Sequence, residues 1–596
     1  MNRTPLFAAI CLACLLLPLA CKNDKPDTSA ALVSASWKNL DNTVRMRLVA
    51  EPDRLNPLLT TAAHARPVHE QIFLSLLHFD PATFELKPLL AKSKPAVAAT
   101  TDGQTVTFEL HDEAVWDNGQ PVTGHDFVFT IKTIFNPKVQ TQPFRPYFEF
   151  LQDVQVDPQN PKRFTAICNK KYLLIEPVLG TVPILPEYHF DPQGLMRNFT
   201  LPQLLNPESN QKLAAGNAQI DAFAEAFGSD RFSREPEGVI GQGPYKLVEW
   251  TTGQRVVLQK KENWWGDALA DRYPGLQAYP EELIFIPMAD AVSYVTGLRD
   301  EQFDAGAAID TKDFVKLKED ADFQKDFQTL EAPQFAYYYI GLNTRRPLLS
   351  DKAVRRAIAH LVNVPNIISN LFDNFATPVA GPVPSIQPFF NKNLQPIGFD
   401  PAKATALLTE AGWTDTDNDG LLDKVINGKK TPFQITFSIP ANRAVSQNVA
   451  LILQEEARKV GLGIEILTKE GNAISQDMKS QEFDMIIAGT SSDPGPWDPK
   501  QTWHTDSARP GGSNYSGFGN AASDALIDQI RTSLDEKERQ ELYYQFQQMV
   551  YDEQPVVFLF TPVERFAIHR RFQGNVSSVR PGFFPNTFKL VTANSN

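Results

Sequence analysis

Cysteine is scarce in this chain, and most of it lies close to one end. The 596 residues include 4 cysteines, of which Cys11, Cys14 and Cys21 fall within the first 21 positions. Cys168 is the one thiol left in the rest of the chain, and a lone thiol excludes an internal disulfide there. Nothing in its sequence neighbourhood indicates a depressed pKa, so we interpret Cys168 as a small buried hydrophobic residue.

The sequence also lacks the patterns typical of hydrolases and nucleotide-binding enzymes. It has no Gly-x-Ser-x-Gly elbow, no His-Glu-x-x-His pair and no glycine-rich phosphate loop, and its 9 histidines show no ligand spacing. The net charge of −13 argues against nucleic acid as a partner. A secreted hydrolase is the alternative class, because paired carboxylates cannot be assigned without geometry. We predict no catalytic residue and no cofactor.

Only one long apolar run occurs, and it ends at a cysteine. Residues 5–20 are apolar, follow the positively charged Arg3, and precede Cys21 and the polar stretch 22–25. This arrangement resembles a bacterial lipoprotein signal, in which Cys21 is the first mature residue and carries the lipid.

Cys14 is an alternative lipid-attachment residue, because it also follows an alanine within the apolar run. The run is shorter than the roughly 20 residues of a membrane-spanning helix, and no comparable run follows it. We therefore predict a signal peptide at 1–20, a tether at 21–37 whose residues 29–36 are mostly small and uncharged, and attachment to a membrane through the lipid.

Length and composition predict more than one hydrophobic core. Hydrophobic residues make up 42% of the chain, and single cores stop growing at about 250 to 300 residues. Val106, Phe108 and Leu110 alternate with polar residues as in a half-buried strand, and 256–260 has a similar pattern. This part of the chain is therefore predicted to be rich in sheet.

The later part of the chain alternates strands with a helix. Apolar residues alternate over 433–439, recur at helical spacing over 445–460 and alternate again over 464–467. A further strand is predicted at 483–488, and Gly461 is predicted to end the helix. Strand, helix and strand in this order predict a parallel α/β lobe with right-handed crossovers.

Two more helices can be placed by the residues at their ends. Asp400 and Pro401 are typical of a helix start, and Gly412 is typical of a position just beyond its end. Residues 533–536, Ser-Leu-Asp-Glu, form a capping-box pattern before a long amphipathic run. The apolar face of that run consists of Leu542, Phe546, Met549 and Val550. We predict that this face packs in a core.

Four motifs carry a resemblance to a known family. They are Trp-Asp-Asn-Gly-Gln-Pro-Val-Thr at 116–123 with Asp126, Gly-Gln-Gly-Pro-Tyr-Lys-Leu at 241–247 with Trp250 and Asn-Trp-Trp at 263–265, Tyr-Ile-Gly-Leu-Asn-Thr at 339–344, and Asp-Lys-Ala-Val-Arg-Arg-Ala-Ile at 351–358. In these motifs the chain resembles the family 5 extracellular solute-binding proteins, which are the oligopeptide- and dipeptide-binding proteins of ABC importers. We interpret the motifs themselves as structural, because glycines permit turns and aromatic residues fill cores.

The resemblance implies an α/β fold with two lobes, the type II periplasmic-binding-protein fold in its large three-domain variant, with a hinge between the lobes. Carried onto this sequence, domain I comprises 38–78, 187–334 and 556–596, domain II comprises 79–186, and domain III comprises 335–555. The resemblance also implies a monomer on the periplasmic side of a bacterial membrane. Such a protein delivers short peptides to an ABC permease and ATPase complex.

The resemblance leaves the ligand open. Proteins of this architecture also capture oligosaccharides and metal complexes, so these solutes are alternatives to a peptide. A binding protein that presents its ligand to a sensor, and not to a permease, is a further alternative.

The segment 489–493 is the first candidate for a ligand site. It follows the predicted strand at 483–488, and open parallel sheets bind ligands beyond the carboxyl ends of their strands. The resemblance implies that Asp493 pairs with the α-amino group of a peptide, a charge-assisted contact. Asp498 is a rival for this role, and either aspartate has a simpler interpretation as the cap of a turn.

Two tryptophans lie in the same region of the sequence. Trp497 and Trp503 are candidates for the wall of a side-chain or sugar pocket, although large aromatic residues are more often buried in cores. For the peptide main chain, the resemblance implies recognition by strand addition, which supplies affinity without selecting side chains.

An aspartate-rich stretch at 415–423 has the spacing of a calcium loop. Asp415, Asp417, Asp419 and Asp423 stand at positions one, three, five and nine, but Ile426 stands where position twelve requires glutamate. We therefore favour a solvated turn over a calcium site and predict no metal ligand.

Overall fold

The computed structural model describes residues 37–38, 40–60, 62–441 and 443–591. The predicted signal peptide, both candidate lipid-attachment residues and most of the predicted tether lie outside the described residues. Within the described part of the chain, no helix is both long enough and apolar enough to cross a membrane.

The strands are numbered in chain order. The first are β1 (Thr43–Leu48), β2 (Leu77–Phe79), β3 (Leu86–Pro88), β4 (Ala96–Ala99), β5 (Gln104–Glu109), β6 (Leu151–Val156), β7 (Arg163–Cys168), β8 (Tyr245–Thr251), β9 (Arg255–Lys260), β10 (Glu282–Pro287), β11 (Ala305–Gly306) and β12 (Phe327–Pro333). They continue with β13 (Ala336–Leu342), β14 (Ala376–Pro378), β15 (Asp423–Ile426), β16 (Lys429–Pro432), β17 (Gln434–Pro440), β18 (Gly463–Lys469), β19 (Met485–Ser491), β20 (Val556–His569), β21 (Phe572–Gln573) and β22 (Lys589–Leu590).

The α-helices are numbered in the same way. The first are α1 (Arg66–His69), α2 (Gly124–Phe135), α3 (Ile175–Thr181), α4 (Glu187–Phe190), α5 (Leu201–Leu205), α6 (Pro207–Ala214), α7 (Ala218–Phe227), α8 (Arg231–Arg234), α9 (Ala291–Arg299) and α10 (Thr311–Glu319). They continue with α11 (Phe323–Asp326), α12 (Lys352–His360), α13 (Val364–Phe372), α14 (Pro401–Glu410), α15 (Ala444–Lys459), α16 (Gly471–Ser480), α17 (Lys500–Trp503), α18 (Ala521–Thr532) and α19 (Glu536–Glu553).

One long mixed sheet runs through the molecule, in the order β18-β17-β19-β13-β20-β11-β1-β10-β9-β8, with β12 and β14 also paired to β20. We call the part built on β1 and β8–β12 the first lobe and the part built on β13–β19 the second lobe. A separate four-stranded sheet, β4-β5-β7-β6, forms a small domain whose buried residues are continuous with the core of the first lobe. The architecture is therefore α/β with two lobes, as predicted.

Strand β20 belongs to both lobes. Its residues 556–560 pair with β13 in the second lobe, and its residues 563–569 pair with β12 in the first lobe. The chain also crosses between the lobes just beside it, from the end of β12 at Pro333 to the start of β13 at Ala336. Two neighbouring antiparallel segments therefore connect the lobes.

The structure confirms the predicted local elements with two differences. The parallel α/β unit is present, since β17 pairs in parallel with both β18 and β19 around α15, but β13 adds an antiparallel strand to it. Asp400 caps α14 as predicted, by accepting a hydrogen bond from the Lys403 N–H. The helix predicted to start with a box at 533–536 is instead capped by Asp535, because its carboxylate accepts from two N–H groups of the first turn.

The isolated thiol is buried, as predicted. Cys168 ends β7 and is 3% exposed, inside the core of the first lobe and small domain. Burial raises the pKa of this thiol to about 12. It is therefore protonated at neutral pH, which suits packing and not nucleophilic chemistry.

A buried ion pair fixes the chain just after β20. The Arg571 guanidinium donates to the Asp304 carboxylate at 2.7 Å, and both side chains are 1% exposed. Arg571 also donates to the carbonyl oxygens of Asp41 and Thr43, which flank the start of β1. One arginine thus holds together three segments that are distant in sequence.

We predict that Asp304→Asn lowers the free energy of unfolding by about 3 to 5 kcal/mol, because it removes the buried counter-charge of Arg571 and leaves only the half-exposed Asp41 carboxylate at 3.4 Å. Urea unfolding of the wild-type and variant proteins measures the difference. Glu249→Gln is the matched control, since Glu249 pairs with Arg255 at 2.9 Å but both side chains are exposed. Equal stability of Asp304→Asn and wild type would contradict the prediction.

Candidate functional site

The two lobes face each other at the end of β19. This strand reaches Ser491, three residues beyond its predicted end, because it stays paired with β13 up to the Ala336–Ser491 pair. Segment 489–491 is therefore part of the strand that it was predicted to follow. The Ser492 N–H then donates to the Phe335 carbonyl at 2.8 Å, and the chain turns toward the first lobe.

Asp493 follows directly and contacts arginines of the first lobe. Its Oδ1 atom lies 3.1 Å from Nη2 of Arg580 and 3.5 Å from Nη1 of Arg66. All three side chains keep between 38% and 55% of their surface exposed, so the pairs are accessible to a ligand. Gln387 holds the main chain of this turn by donating to the Asp493 carbonyl at 3.1 Å.

On the first-lobe side of this junction, Arg66 makes a second ion pair. Arg66 is the first residue of α1 and also pairs with Glu70 at 2.6 Å. The Glu70 side chain is 34% exposed, yet burial raises the pKa of its carboxyl. Burial likewise lowers the pKa of the neighbouring His69 to about 3, so this ring is neutral. Glu70 and His69 therefore lie in a densely packed part of the first lobe, although the Glu70 side chain stays partly exposed.

The last five residues of β19 have an open edge. Strand β17 pairs with β19 at Met485 and Ile486 only, and within the described residues no strand continues that side over 487–491. Residues Asp484 and Ser492, which flank β19, form hydrogen-bonded pairs with Asn343 and Phe335. The even-numbered residues of β19 therefore direct their main-chain N–H and C=O groups toward β13.

It follows that the N–H and C=O groups of Gly489 and Ser491 point to the open side. Residues 489–491 are all exposed, and none of the described residues hydrogen-bonds to these main-chain groups. The edge ends beside Asp493. A sheet edge of this kind is a template for an added strand.

Asp498, the rival candidate, is held inside a contact between the lobes. Its carboxylate accepts from the Tyr172 hydroxyl of the small domain at 2.7 Å and from Nε of Arg531 at 2.9 Å. It also accepts from the Lys500 N–H, and its side chain is only 12% exposed. The Asp498 carboxylate is therefore almost covered by its protein partners, whereas the Asp493 side chain keeps 49% of its surface exposed beside its arginines.

The two predicted tryptophans have different surroundings. Trp497 is half-buried and stacks on Tyr543, with 6.2 Å between the ring centroids. Trp503 is 3% exposed and packs edge-on against Phe518, at 5.6 Å. Trp503 also lines a cavity of about 280 Å³ within the second lobe.

A larger cavity, of about 800 Å³, lies between the small domain and the second lobe. Its second-lobe wall includes Gly495, two residues after Asp493, which has a φ of +100°. A Cβ atom at this position would lie 2.7 Å from the Phe79 ring of the small domain, so the close approach requires glycine. Beside it, Phe84 and Phe335 pack edge to face across the lobes at 5.1 Å.

The aspartate-rich loop brings its first three carboxylates together. Oxygen atoms of Asp415, Asp417 and Asp419 lie within 4.8 Å of one another. The ninth-position residue, Asp423, does not join them, because it accepts from Thr416. The ammonium group of Lys430 lies 2.6 Å from Asp417 and 3.2 Å from Asp423, in the place of a cation. The Asp415 carboxylate accepts hydrogen bonds from the N–H groups of Asn418 and Gly420, as in a capped turn.

Sequence reasoning missed Arg66, Arg580 and the open edge of β19. Neither arginine belongs to a recognised motif. Both are candidate site residues only because the fold places them beside Asp493, after the end of β19. The sequence indicated the open edge only in part, because its alternation predicted a strand at 483–488. Its exposure depends on where β17 stops pairing, which the sequence pattern does not specify.

The fold and the cleft can now be compared with known proteins. The profile of bacterial extracellular solute-binding proteins, family 5 (middle), matches residues 85–513, well over half of the chain. The chain belongs to this family. The predicted resemblance is thus confirmed, and family 5 proteins bind solutes outside the cytoplasm.

Relatives of the chain within family 5 have several ligands. The oligopeptide-binding protein AppA of Bacillus subtilis is 24% identical over 93% of this chain and 92% of its own length. Its structure in complex with a nonapeptide superposes with a TM-score of 0.63, at 21% identity over 92% of this chain and 98% of that one. The dipeptide-binding protein of Escherichia coli is 25% identical over 86% of this chain and 89% of its own.

A structure with another type of ligand has a similar fold. NikA of Brucella suis, in complex with Fe(III)-EDTA, superposes with a TM-score of 0.71 at 20% identity, covering 92% of this chain and 99% of that chain. The fold class predicted from the sequence is thereby confirmed.

Proposed function

We propose that this chain is the binding component of an ABC importer, which captures short peptides between its lobes and delivers them to a membrane permease and ATPase complex. The open edge of β19 is the observation that carries the peptide assignment. Peptides are the solutes whose main chain matches such an edge, with donors and acceptors at the spacing of a strand. The relatives that bind oligopeptides and dipeptides support this choice.

An extended peptide would add to β19 as its next strand. Gly489 and Ser491 each offer one N–H and one C=O group on the open side, which is enough for the main chain of two to three ligand residues. Because these contacts involve only main-chain atoms, they hold peptides of many sequences. An oligosaccharide has no main chain with donors and acceptors at the spacing of a strand, so it would not pair regularly with this edge.

Asp493 would receive the amino terminus of the peptide. The carboxylate stands where the open edge of β19 ends, and its present partners are half-exposed arginines. Exposed ion pairs contribute only about 0 to 1 kcal/mol, so a ligand ammonium group can replace them. The exchange would be favourable once the lobes close on the ligand, because a charge-assisted hydrogen bond is stronger in a water-poor site than in bulk water.

The predicted domain organisation, lipid anchor and tether are part of the same proposal. Domains I and III would close on the peptide by bending at the two segments that join the lobes, and the protein would act as a monomer without catalysis. The lipid on Cys21 would hold it at the periplasmic side of the membrane, near the permease. The tether at 21–37 would leave the folded body free to move.

A metal complex is the second candidate ligand. Arg66 and Arg580 favour it, because their guanidinium groups lie beside the cleft and would pair with an anionic chelate. The family 5 structure that holds Fe(III)-EDTA supports this alternative.

We predict that the protein, purified from its natural host without refolding, carries a mixture of short peptides. Native mass spectrometry of the intact chain, followed by denaturation and sequencing of the released molecules, measures this directly. An iron or nickel complex in place of peptides would contradict the peptide assignment and favour the alternative.

We predict that Ser491→Pro weakens tetrapeptide binding about fivefold, which corresponds to roughly 1 kcal/mol for one main-chain hydrogen bond. The substitution removes an N–H group on the open side and leaves the bonds between β19 and β13 intact. Ser491→Ala is the control, because it keeps the N–H group and should bind like the wild type. Calorimetry gives both affinities, and equal loss in the two variants would exclude a main-chain contact.

We predict that Asp493→Asn and amino-terminal acetylation of the peptide are strongly coupled. Removing either charge should weaken binding on the order of 10- to 100-fold, equivalent to about 1.5 to 3 kcal/mol, and removing the second should add little. Affinities of free and acetylated tetra-alanine for both proteins complete the cycle. Additive losses would show that the ammonium group does not contact Asp493. Asp112→Asn, at an exposed carboxylate of the small domain, is the control.

A further inference from the structure

The loop at 493–498 carries contacts of the second lobe with the other side of the cleft. Its first residue, Asp493, pairs with the first-lobe arginines, and Gly495 lies against an aromatic ring of the small domain. Its last residue, Asp498, accepts from the Tyr172 hydroxyl of the small domain. The loop therefore meets the opposite side of the cleft at both ends and in its middle.

The loop is also anchored on its own lobe. The Trp497 N–H donates to the Tyr543 hydroxyl at 2.8 Å, and that hydroxyl donates in turn to the Trp497 carbonyl at 2.6 Å. Gln387 donates to the Asp493 carbonyl at the other end of the loop. Because both ends are fixed to the second lobe, the loop moves with that lobe when the cleft opens.

Tyr172 meets an acceptor that is already held in place on the second lobe. The Asp498 carboxylate accepts from Nε of Arg531 at 2.9 Å and from the Lys500 N–H, and these residues all belong to that lobe. The Tyr172 hydroxyl adds the bond between the lobes, at 2.7 Å. A hydrogen bond to a charged acceptor is stronger than one between neutral groups, so this contact holds the small domain against the second lobe.

Further contacts lie beside that hydroxyl. The Leu173 N–H donates to the Arg531 carbonyl at 3.0 Å, which joins the main chains of the small domain and the second lobe. The Arg531 guanidinium lies 5.3 Å from the centroid of the Tyr172 ring, within the range of a cation–π contact. Burial and the Asp498 charge raise the pKa of Tyr172, so its hydroxyl stays protonated as a donor at neutral pH.

We propose that the contact between Tyr172 and Asp498 is a latch, which keeps the lobes closed over a bound ligand and so sets how long the ligand stays. Tyr172 is a positioning residue in this role, because it acts through the lobes and not through a ligand contact. The inference rests on the proposed capture of a ligand between the lobes, but it does not require that the ligand is a peptide.

The latch acts on one direction of the binding reaction. A ligand enters while the cleft is open, before the bond between Tyr172 and Asp498 forms. Release requires the cleft to open again, and opening breaks this bond. Loss of the latch is therefore expected to raise the dissociation rate and to leave the association rate nearly unchanged.

Tyr172→Phe removes the hydroxyl and keeps the ring. We expect tetra-alanine to dissociate about tenfold faster from this variant, with an association rate within about twofold of the wild-type value. Stopped-flow measurement of tryptophan fluorescence gives both rates. Tyr147→Phe is the matched control, because Tyr147 is an exposed tyrosine of the small domain. An unchanged dissociation rate, or a change confined to association, would overturn the latch.

Two further comparisons separate a latch from a ligand contact. The latch touches neither end of the peptide, so Tyr172→Phe should raise the dissociation rates of free and acetylated tetra-alanine by the same factor. Asp498→Asn should also speed dissociation, and adding Tyr172→Phe to it should bring little further change. Different factors for the two peptides, or additive effects of the two substitutions, would overturn the latch.

Small-angle X-ray scattering tests the latch without a ligand. After dialysis to remove bound molecules, we expect a larger radius of gyration for Tyr172→Phe than for wild type and Tyr147→Phe, because the lobes spend less time in contact. If wild type binds no tetra-alanine, the proposed peptide ligand is refuted and scattering alone decides the latch. Equal radii of wild type and Tyr172→Phe would then overturn it.

Discussion

The arrangement of the molecule depends on one strand that is shared by two lobes. The backbone hydrogen bonds of β20 are made to β13 over its first residues and to β12 and β11 over its last. Separating the lobes would break a continuous sheet, so their relative motion is restricted to bending near 561–562, where the β20 partner changes. The candidate site lies beside this bend, because β19 is the neighbour of β13. A small rotation there changes the width of the cleft.

Buried arginines fix both ends of this shared strand. Arg355, which is 4% exposed, donates to the carbonyl oxygens of Glu553 and Gln554 just before β20, and Arg571 donates to Asp304 just after it. A guanidinium group suits this task, since it has five donors in a fixed plane and satisfies several carbonyl groups at once. Arg355 belongs to the 351–358 motif. This motif residue therefore has a structural role, and it does not contact the candidate ligand site.

The same distinction explains what the sequence could and could not predict. Local patterns predicted the parallel unit around α15, the cap at Asp400 and the buried Cys168, because each depends on neighbouring residues. Ligand-site geometry depends on contacts between distant segments, so Arg66 and Arg580 carried no signal of their own. Asp493 was proposed from its place after a strand and from the resemblance, but its arginine partners were not predicted. The open edge required knowing where one strand stops pairing with another, which alternation of side chains does not encode.

The charges of the cleft also limit the ligand. Arg66 is shared between Glu70 and Asp493, and Arg580 pairs with Asp493, so two positive groups face two negative groups. A zwitterionic peptide adds no net charge: its ammonium group would replace the arginines at Asp493, while Arg66 would keep its pair with Glu70. An anionic chelate would pair with the arginines but leave the Asp493 carboxylate without a counter-charge. That imbalance would be costly once the lobes close and exclude solvent, so the charges support the proposed peptide ligand.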